Sequence, residues 1–157
     1  MTIRIIQLGT PRHPKEGIRF GTVRRPPRGV RKSDYSKLNF FDVWLPNLSP
    51  SEELLRKKLV RQAENKSRQV GMKFEASVEL SQAHSAAGLV RSTTGWRTFE
   101  RSFRAELKQP DKSHLLDALT ALSHVTNFSI GCYCSNEKLC HRSILRAELK
   151  KRSALIK

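Results

Sequence analysis

The first third of the chain alternates hydrophobic and polar positions in short runs, with the two-residue period of strands. Residues 3–8 contain three isoleucines and a leucine before Gly9, which predicts a first strand. Residues 18–23 alternate in the same way and predict a second strand. The apolar run 40–45 ends at Pro46 and predicts a short strand or a packed turn. Between them, residues 24–36 contain two prolines and Gly29, which predicts a loop.

Helical spacing appears after this region. Ser49 or Ser51 can cap a helix that has two glutamates in its first turn, and this helix should end near Gly71. Apolar side chains then recur every three or four residues over 96–107, with basic side chains on the other faces, which predicts a helix that ends at Pro110. Ser113 is predicted to cap the following helix.

The C-terminal part ends in a strand, a polar loop and a helix. Residues 125–133 are rich in β-forming side chains and predict a strand inside a sheet. Cys140 is predicted to begin the last helix. Alternating strands and helices indicate an α/β layered fold, and 157 residues fit a single domain over 1–157. Residues 65–95 are predicted to form an insertion or a mobile loop, with 84–95 as the loop.

Charge indicates what the protein binds. Lysine and arginine number 30 against 14 acidic residues, a net charge of +16. Residues 1–37 alone contain 10 basic and 2 acidic side chains. Such an excess attracts anions, and nucleic acid is the first candidate partner, with simple solubility as the alternative. No apolar run is long enough to span a membrane, so a transmembrane protein is not expected. Three cysteines and a polar N-terminus favour a reducing cytoplasm.

The three cysteines and one histidine fall within ten residues, as Cys132, Cys134, Cys140 and His141. One interpretation is a reactive thiolate, because a helix N-terminus and nearby cations lower the pKa of a thiol. Cys140 fits that description, and Cys132 would reach the same pocket from the end of the strand. In an enzyme, either would be the nucleophile and His141 the general acid and base.

Two other interpretations of the same residues stay open. The cluster offers four soft ligands for zinc, but Cys140 and His141 at a helix start should point about 100° apart. We therefore predict no cofactor and no metal, and keep a zinc-stabilised interaction module as an alternative. The third interpretation is burial, since Cys132 can simply fill the sheet.

Arginines near this cluster predict an anion site. Arg142 lies at the start of the last helix, where backbone amides also bind anions. Arg24, Arg25 and Arg28 lie in the proline-rich loop, which could fold over this helix start. In the alternative interpretation these arginines are solvated, or one of them pairs with Asp42.

The chain resembles the domain-of-unknown-function family 488. Four segments occur in the order of that family's motifs: Arg24 with 27–30 and Lys32, Trp44 and Leu45 with 48–51, Trp96 with Phe99, Phe103 and 106–107, and 130–132 with 140–142. The last corresponds to the family's L-L-C-x-E-x5-C-H-R signature. Cys134 stands where that signature has Glu, and residues 65–95 lie outside the resemblance.

The resemblance implies a compact α/β fold with a mostly parallel sheet flanked by helices. It also implies one anion-handling pocket with a thiol, formed by polar residues that the motifs share: Arg24, Arg28, Ser51, Cys132, Cys140, His141 and Arg142. The expected ligand carries phosphate, as a nucleotide or a nucleic acid. The alternative is a basic nucleic-acid-binding protein without catalysis. The oligomeric state is not predicted.

Overall fold

The computed structural model describes residues 1–57 and 84–157, and residues 84–94 by their backbone only. Its residues form two compact units. The first unit combines Met1–Pro50 with Arg104–Lys157, and the second is Ser51–Phe103. The single domain over residues 1–157 stays a prediction. No helix in the described parts of the chain has the length and apolar character needed to cross a lipid bilayer.

A four-stranded parallel sheet organises the first unit. The strands are β1 (Ile3–Gln7), β2 (Ile18–Gly21), β3 (Val43–Trp44) and β4 (Phe128–Cys132), in the spatial order β1-β4-β2-β3. All five residues of β4 are buried, as expected for a strand with neighbours on both sides. The predicted α/β fold with a parallel sheet is confirmed.

The strand register brings the carboxyl ends of the strands to one edge of the sheet. Gln7 pairs with Cys132, and Gly21 pairs with both Gly131 and Trp44. Because every strand runs the same way, the segments that follow them leave from this carboxyl edge. Ligands of open parallel sheets bind at such an edge, so it is the first place to look for a site.

Four helical segments and two short 3₁₀ turns make up the rest of the described secondary structure. The helices are α1 (His84–Leu107), α2 (Pro110–Val125) and α3 (His141–Lys151), and residues 52–57 are also helical. The 3₁₀ turns are Lys32–Asp34 and Pro46–Leu48. The predicted end of α1 before Pro110 and the predicted start of the last helix are confirmed.

The starts of two helical segments differ in how well they agree with the sequence predictions. Ser51, and not Ser49, caps the helical segment 52–57, because its Oγ accepts a hydrogen bond of 3.2 Å from the Leu54 N–H. The predicted end near Gly71 lies outside the described residues. Ser113 as the start of α2 is wrong, because α2 begins at Pro110. Proline fits the first helical position, which needs no N–H donor.

The prediction of a loop over 84–95 is wrong, since α1 already begins at His84. The stretch is rich in small and polar residues, which suggested a loop, but it contains no proline. Alanine, leucine and arginine in it favour helix enough to offset its two glycines. The rest of the predicted 65–95 segment lies outside the described residues.

A fully buried ion pair attaches the loops to one face of the sheet. Arg19 of β2 donates from Nε to Glu16 Oε1 (2.6 Å) and from Nη2 to Glu16 Oε2 (2.9 Å). Its Nη1 donates to the carbonyl oxygens of Thr10 (3.0 Å) and Asn39 (2.5 Å). Ser129 of β4 donates its hydroxyl to Glu16 Oε1 at 2.6 Å. The buried charges are thus paired and hydrogen-bonded, as burial requires.

Asp42 forms a second charged contact beside this pair. It accepts two hydrogen bonds from the Arg12 guanidinium, at 2.8 and 2.7 Å, and one of 2.8 Å from the backbone N–H of Arg19. The alternative that Asp42 pairs with an arginine of the 24–36 loop is therefore wrong. Bidentate geometry favours Arg12 as the partner of this carboxylate.

Two paired glycines allow side chains to pack directly on the sheet near its carboxyl edge. A Cβ atom on Gly21 would lie 2.4 Å from the ring of Phe41, and one on Gly131 would lie 2.5 Å from Leu8. Leu8 and Phe41 belong to one buried cluster with Val23, Cys132 and Cys140. The glycines therefore let an apolar layer pack beside the two buried cysteines.

We expect the fold to lose stability in acid as Glu16 and Asp42 become protonated. Burial raises the pKa of Glu16, but hydrogen bonds from Arg19 and Ser129 outweigh it and lower the pKa to about 2. Burial likewise raises the pKa of Asp42, and hydrogen bonds from Arg12 and Ser36 lower it to about 2. The free energy of unfolding should be constant above roughly pH 5 and fall as the pH approaches 2. Urea unfolding at several pH values measures this.

Glu16→Gln tests this assignment, and Glu53→Gln at an exposed position is its control. Each substitution removes one carboxylate charge. Glu16→Gln should destabilise the protein at pH 7 and reduce the loss between pH 5 and 2, while Glu53→Gln keeps the wild-type loss. Equal pH dependence in both variants would contradict the assignment to Glu16.

Candidate functional site

The strand, loop and helix at the C-terminus bring two distant cysteines together. β4 ends at Cys132 on the carboxyl edge, and the polar loop 133–139 leads to Cys140. Cys140 is the N-cap of α3, with extended backbone angles of φ −118° and ψ 146°. The Sγ atoms of Cys132 and Cys140 and a ring nitrogen of His141 lie within 4.8 Å of one another. All three predicted catalytic residues therefore meet in one place.

A third thiol joins this group, so Cys132, Cys134 and Cys140 form a thiol cluster. Cys134 is exposed, and its Sγ lies 3.7 Å from that of Cys132. Hydrogen bonds from the Cys132 and Cys134 thiols lower the pKa of Cys140 far below its ordinary value, against the effect of burial. Hydrogen bonds with Cys134 and Cys140, together with burial, raise the pKa of Cys132. Of the two buried thiols, Cys140 is thus the one whose surroundings favour deprotonation.

The imidazole of His141 is held in one tautomer. Its Nε2 lies 2.7 Å from the carbonyl oxygen of Thr22, and both groups are buried. A carbonyl oxygen only accepts, so Nε2 carries the proton and donates it. The other nitrogen, Nδ1, lies 3.8 Å from Cys140 Sγ. Nδ1 therefore faces Cys140 Sγ, and a proton can be shared between these two atoms.

The Arg142 guanidinium joins three segments at this site. It is 2% exposed, and its Nε donates to Cys140 Sγ at 3.4 Å. Its two other nitrogens donate to the carbonyl oxygens of Ile6 in β1 and Cys134 in the 133–139 loop. Arg142 was predicted to bind an anion, and the side-chain atom to which it donates is the Cys140 sulfur.

Arg24, Arg28 and Ser51 were also predicted to bind an anion, and the structure gives each of them a different environment. Arg24 donates to the carbonyl oxygens of Ser49 (3.0 Å) and Pro50 (3.1 and 2.9 Å). These bonds attach the end of the Met1–Pro50 segment to the loop after β2. Arg28 is exposed in the loop that follows β2. Ser51 belongs to the second compact unit, where its hydroxyl caps a helix.

Two contributors to the site come from the backbone and are not visible as motifs. The Thr22 carbonyl holds His141, and the Ile6 carbonyl holds Arg142. Both residues lie near the carboxyl ends of strands that flank β4. Parallel strands place such positions together, but identifying them requires the strand order and register, which the sequence does not reveal.

The side chains of the thiol cluster and His141 have the chemistry of metal ligands. The sequence argument against a metal assumed that Cys140 and His141 both lie on the helix and diverge by about 100°. That assumption is wrong, because Cys140 is an extended N-cap residue and its Sγ lies 3.8 Å from the ring of His141. Adjacent residues can therefore face one point.

We expect Arg142→Lys to lower the free energy of unfolding by about 2 kcal/mol, since a lysine cannot reach both carbonyls and the thiolate with a fixed fork. Urea unfolding measures the change. Arg146→Lys on the same helix is the control, because Arg146 forms a half-exposed pair of 2.9 Å with Glu137 that should contribute less than about 1 kcal/mol. Equal losses in the two variants would contradict the joining role of Arg142.

Comparison with known proteins identifies the family. The family model DUF488-N3a, described as the active DUF488-N3 subclade, matches residues 3–93 and 78–153. No curated protein and no solved structure matches the chain. The matched residues include β1, β2, β4 and the complete thiol cluster with His141 and Arg142. The chain therefore belongs to the DUF488 family, in the subclade described as active.

Proposed function

We propose that the protein is a thiol-dependent enzyme in which Cys140 is the nucleophile and the substrate carries phosphate, as a nucleotide or a nucleic acid. The observation that carries this proposal is the environment of the Cys140 sulfur. It lies at the N-terminus of α3, 3.4 Å from Arg142 Nε and 3.8 Å from His141 Nδ1. The description of the family as an active subclade supports a catalytic role.

Each of these contacts favours a nucleophilic sulfur. The start of an α-helix carries partial positive charge, which stabilises an anion at the N-cap. The buried guanidinium of Arg142 adds a full positive charge and an N–H donor on the sulfur itself. Because the site is closed to water, both interactions are stronger than they would be on the surface. Cys140 therefore has the environment of a reactive thiolate and not that of an inert core thiol.

His141 supplies the general acid and base of the proposed reaction. Its Nε2–H is fixed by the Thr22 carbonyl, which leaves Nδ1 to exchange a proton with Cys140 or with a leaving group next to it. Cys132 remains protonated and donates toward the thiolate, so its role is to position and stabilise the charge on Cys140.

Access to Cys140 depends on the loop 133–139. Cys140 is fully buried, whereas most of this loop is exposed. The loop is held by the Arg142 hydrogen bond to the Cys134 carbonyl and by the pair between Glu137 and Arg146. Tyr133 also accepts a hydrogen bond from Gln7 and contacts the Phe40 ring, so the loop must release several contacts before a substrate reaches the sulfur.

The positive charge of the chain supports a phosphate-bearing substrate. The loop after β2 carries exposed arginines that include Arg25, Arg28 and Arg31, and it leaves from the same carboxyl edge as Cys132. The net charge of +16 raises the local concentration of polyanions near the protein. A nucleic acid would gain more from this charge than a single nucleotide would.

We expect Cys140 to react with iodoacetamide in the folded, reduced and chelator-treated protein at neutral pH. Mass spectrometry of the peptides gives the labelling rate of each cysteine separately. Cys140 should be labelled despite its burial, because loop opening exposes a thiolate, and Arg142→Lys should move the pH at which the labelling rate is half its maximum upward by about one unit or more, because it removes the donor at the sulfur.

Ser135→Ala is the matched control, because it changes an exposed side chain of the same loop and leaves the thiol cluster and the Arg142 and His141 contacts in place. It should keep the labelling of Cys140. The enzyme proposal fails if Cys140 stays unlabelled until the protein is unfolded by urea, with only Cys134 reacting before that.

A non-catalytic nucleic-acid-binding protein is the second candidate, and the exposed arginines of the loop after β2 favour it. We expect a fluorescent oligonucleotide to bind with an affinity that falls steeply as salt increases, because bound counterions are released. Fluorescence polarisation should show that Arg28→Ala and Arg31→Ala each reduce the slope of log affinity against log salt by about one.

Lys150→Ala is the charge control, since Lys150 is exposed near the end of α3 away from the carboxyl edge. It should leave the slope nearly unchanged. A salt-independent affinity would contradict a polyanionic partner. Oligonucleotide binding together with an unreactive Cys140 would favour the non-catalytic candidate, and competition by a mononucleotide would identify the smaller ligand.

A further inference from the structure

We propose that Cys132, Cys134, Cys140 and His141 also form a binding site for a soft divalent cation, with zinc as the first candidate. This site goes beyond the proposed enzyme, because a bound cation would occupy the sulfur that the enzyme uses. The inference rests on the positions of the four side chains and on the groups that surround them.

The separations of the ligand atoms fit a tetrahedral centre. With Zn–S bonds of about 2.3 Å, two ligands of a tetrahedral zinc lie about 3.8 Å apart. The Sγ atoms of Cys132 and Cys134 are 3.7 Å apart, and Cys140 Sγ is 3.8 Å from His141 Nδ1. Cys132, Cys140 and His141 together lie within 4.8 Å. Two opposite edges of the tetrahedron are thus close to the required length, and Cys134 Sγ, which lies outside the 4.8 Å group, must move closer with the 133–139 loop to become the fourth ligand.

The imidazole is oriented as a ligand. Metal-binding histidines usually donate their second ring N–H to a carbonyl or a carboxylate, which directs the other nitrogen to the metal. His141 donates Nε2–H to the Thr22 carbonyl at 2.7 Å, and Nδ1 faces the thiol cluster. The Thr22 hydroxyl donates to the Gly131 carbonyl at 3.0 Å, which fixes this segment on β4.

The charges also balance when a cation is bound. Three thiolates and one Zn²⁺ give a net charge of −1, and the buried Arg142 beside Cys140 Sγ contributes +1. Each thiol that binds releases its proton to solvent, so no oxidant or reductant is needed. A neutral assembly is the one that burial favours.

Binding would make Cys140 unreactive, because the cation takes the electron pair with which the sulfur attacks. Cys134 has a special part in this arrangement. It is the exposed member of the thiol cluster and lies on the loop that covers Cys140, so its coordination would hold the loop closed. The metal-bound protein would then be the closed form.

The test uses the full chain, reduced and treated with chelator, titrated with Co²⁺ as a spectroscopic substitute for zinc. We expect one equivalent to bind, with thiolate-to-cobalt charge-transfer absorption and the intense visible bands of tetrahedral cobalt. Zinc should displace the cobalt, and elemental analysis should then give one zinc per chain. A weak octahedral spectrum without charge transfer overturns the proposal.

Ligand variants provide the second measurement. Cys134→Ser should weaken cobalt binding by more than about tenfold, because loss of a ligand costs at least as much as loss of a supporting contact. The exposed Ser135→Ala in the same loop is its control and should bind as the wild type does. Cys134 is exposed, so this variant should keep the wild-type melting temperature. Unchanged cobalt affinity and spectrum in Cys134→Ser overturn the four-ligand site.

The two proposals fail separately. Iodoacetamide labelling of the chelator-treated protein tests the nucleophile, and cobalt absorption tests the cation site. Tetrahedral cobalt bands with an unreactive Cys140 would overturn the enzyme alone. A reactive Cys140 without these bands would overturn the cation site alone. If both proposals hold, one equivalent of zinc should abolish the labelling of Cys140.

Discussion

The Arg142 guanidinium is the interaction on which the candidate site depends. It is planar, permanently charged and buried, and its donors contact β1, the loop 133–139 and the Cys140 sulfur. The His141 hydrogen bond to the Thr22 carbonyl and the contact of Gln7 with the Tyr133 carbonyl add to this connection, but neither of them reaches the Cys140 sulfur. A buried cation also requires a nearby negative group, since an unpaired charge is costly to bury. The Cys140 sulfur, which accepts from Arg142 Nε and whose pKa is lowered, can satisfy that requirement as a thiolate.

The sheet provides the frame for this arrangement. The parallel register brings the ends of β1, β2 and β4 to one edge, and Gly21 and Gly131 leave room there for Leu8 and Phe41. On the same sheet, the buried pair of Arg19 and Glu16 attaches the intervening loops. The molecule thus contains two buried arginines with different partners. Arg19 pairs with a carboxylate under the sheet, while Arg142 donates to the Cys140 sulfur in the candidate site.

Much of this organisation could be predicted from the sequence, and the exceptions have physical reasons. The strands, the last helix and the meeting of Cys132, Cys140 and His141 follow from hydrophobic periods and cysteine spacing. The direction of the Cys140 side chain does not, because an N-cap residue has strand-like backbone angles that helix geometry does not describe. The partners of Arg24 and Arg142 are backbone carbonyls, which every residue has, so no residue pattern identifies them. Similarly, Ser113 and Pro110 both signal a helix start, and only the fold shows which one is used.

The central claim, that Arg142 and the Cys140 sulfur form a buried charged contact, can be tested by NMR of the arginine Nε–H groups. The account predicts that Arg142 gives a signal protected from solvent exchange, and that Cys140→Ser shifts this signal or makes it exchange faster. The Nε–H of Arg19, bonded to Glu16 at 2.6 Å, is the internal reference and should stay unchanged. A rapidly exchanging Arg142 Nε–H, or a protected one that does not respond to the loss of the Cys140 sulfur, would contradict the account.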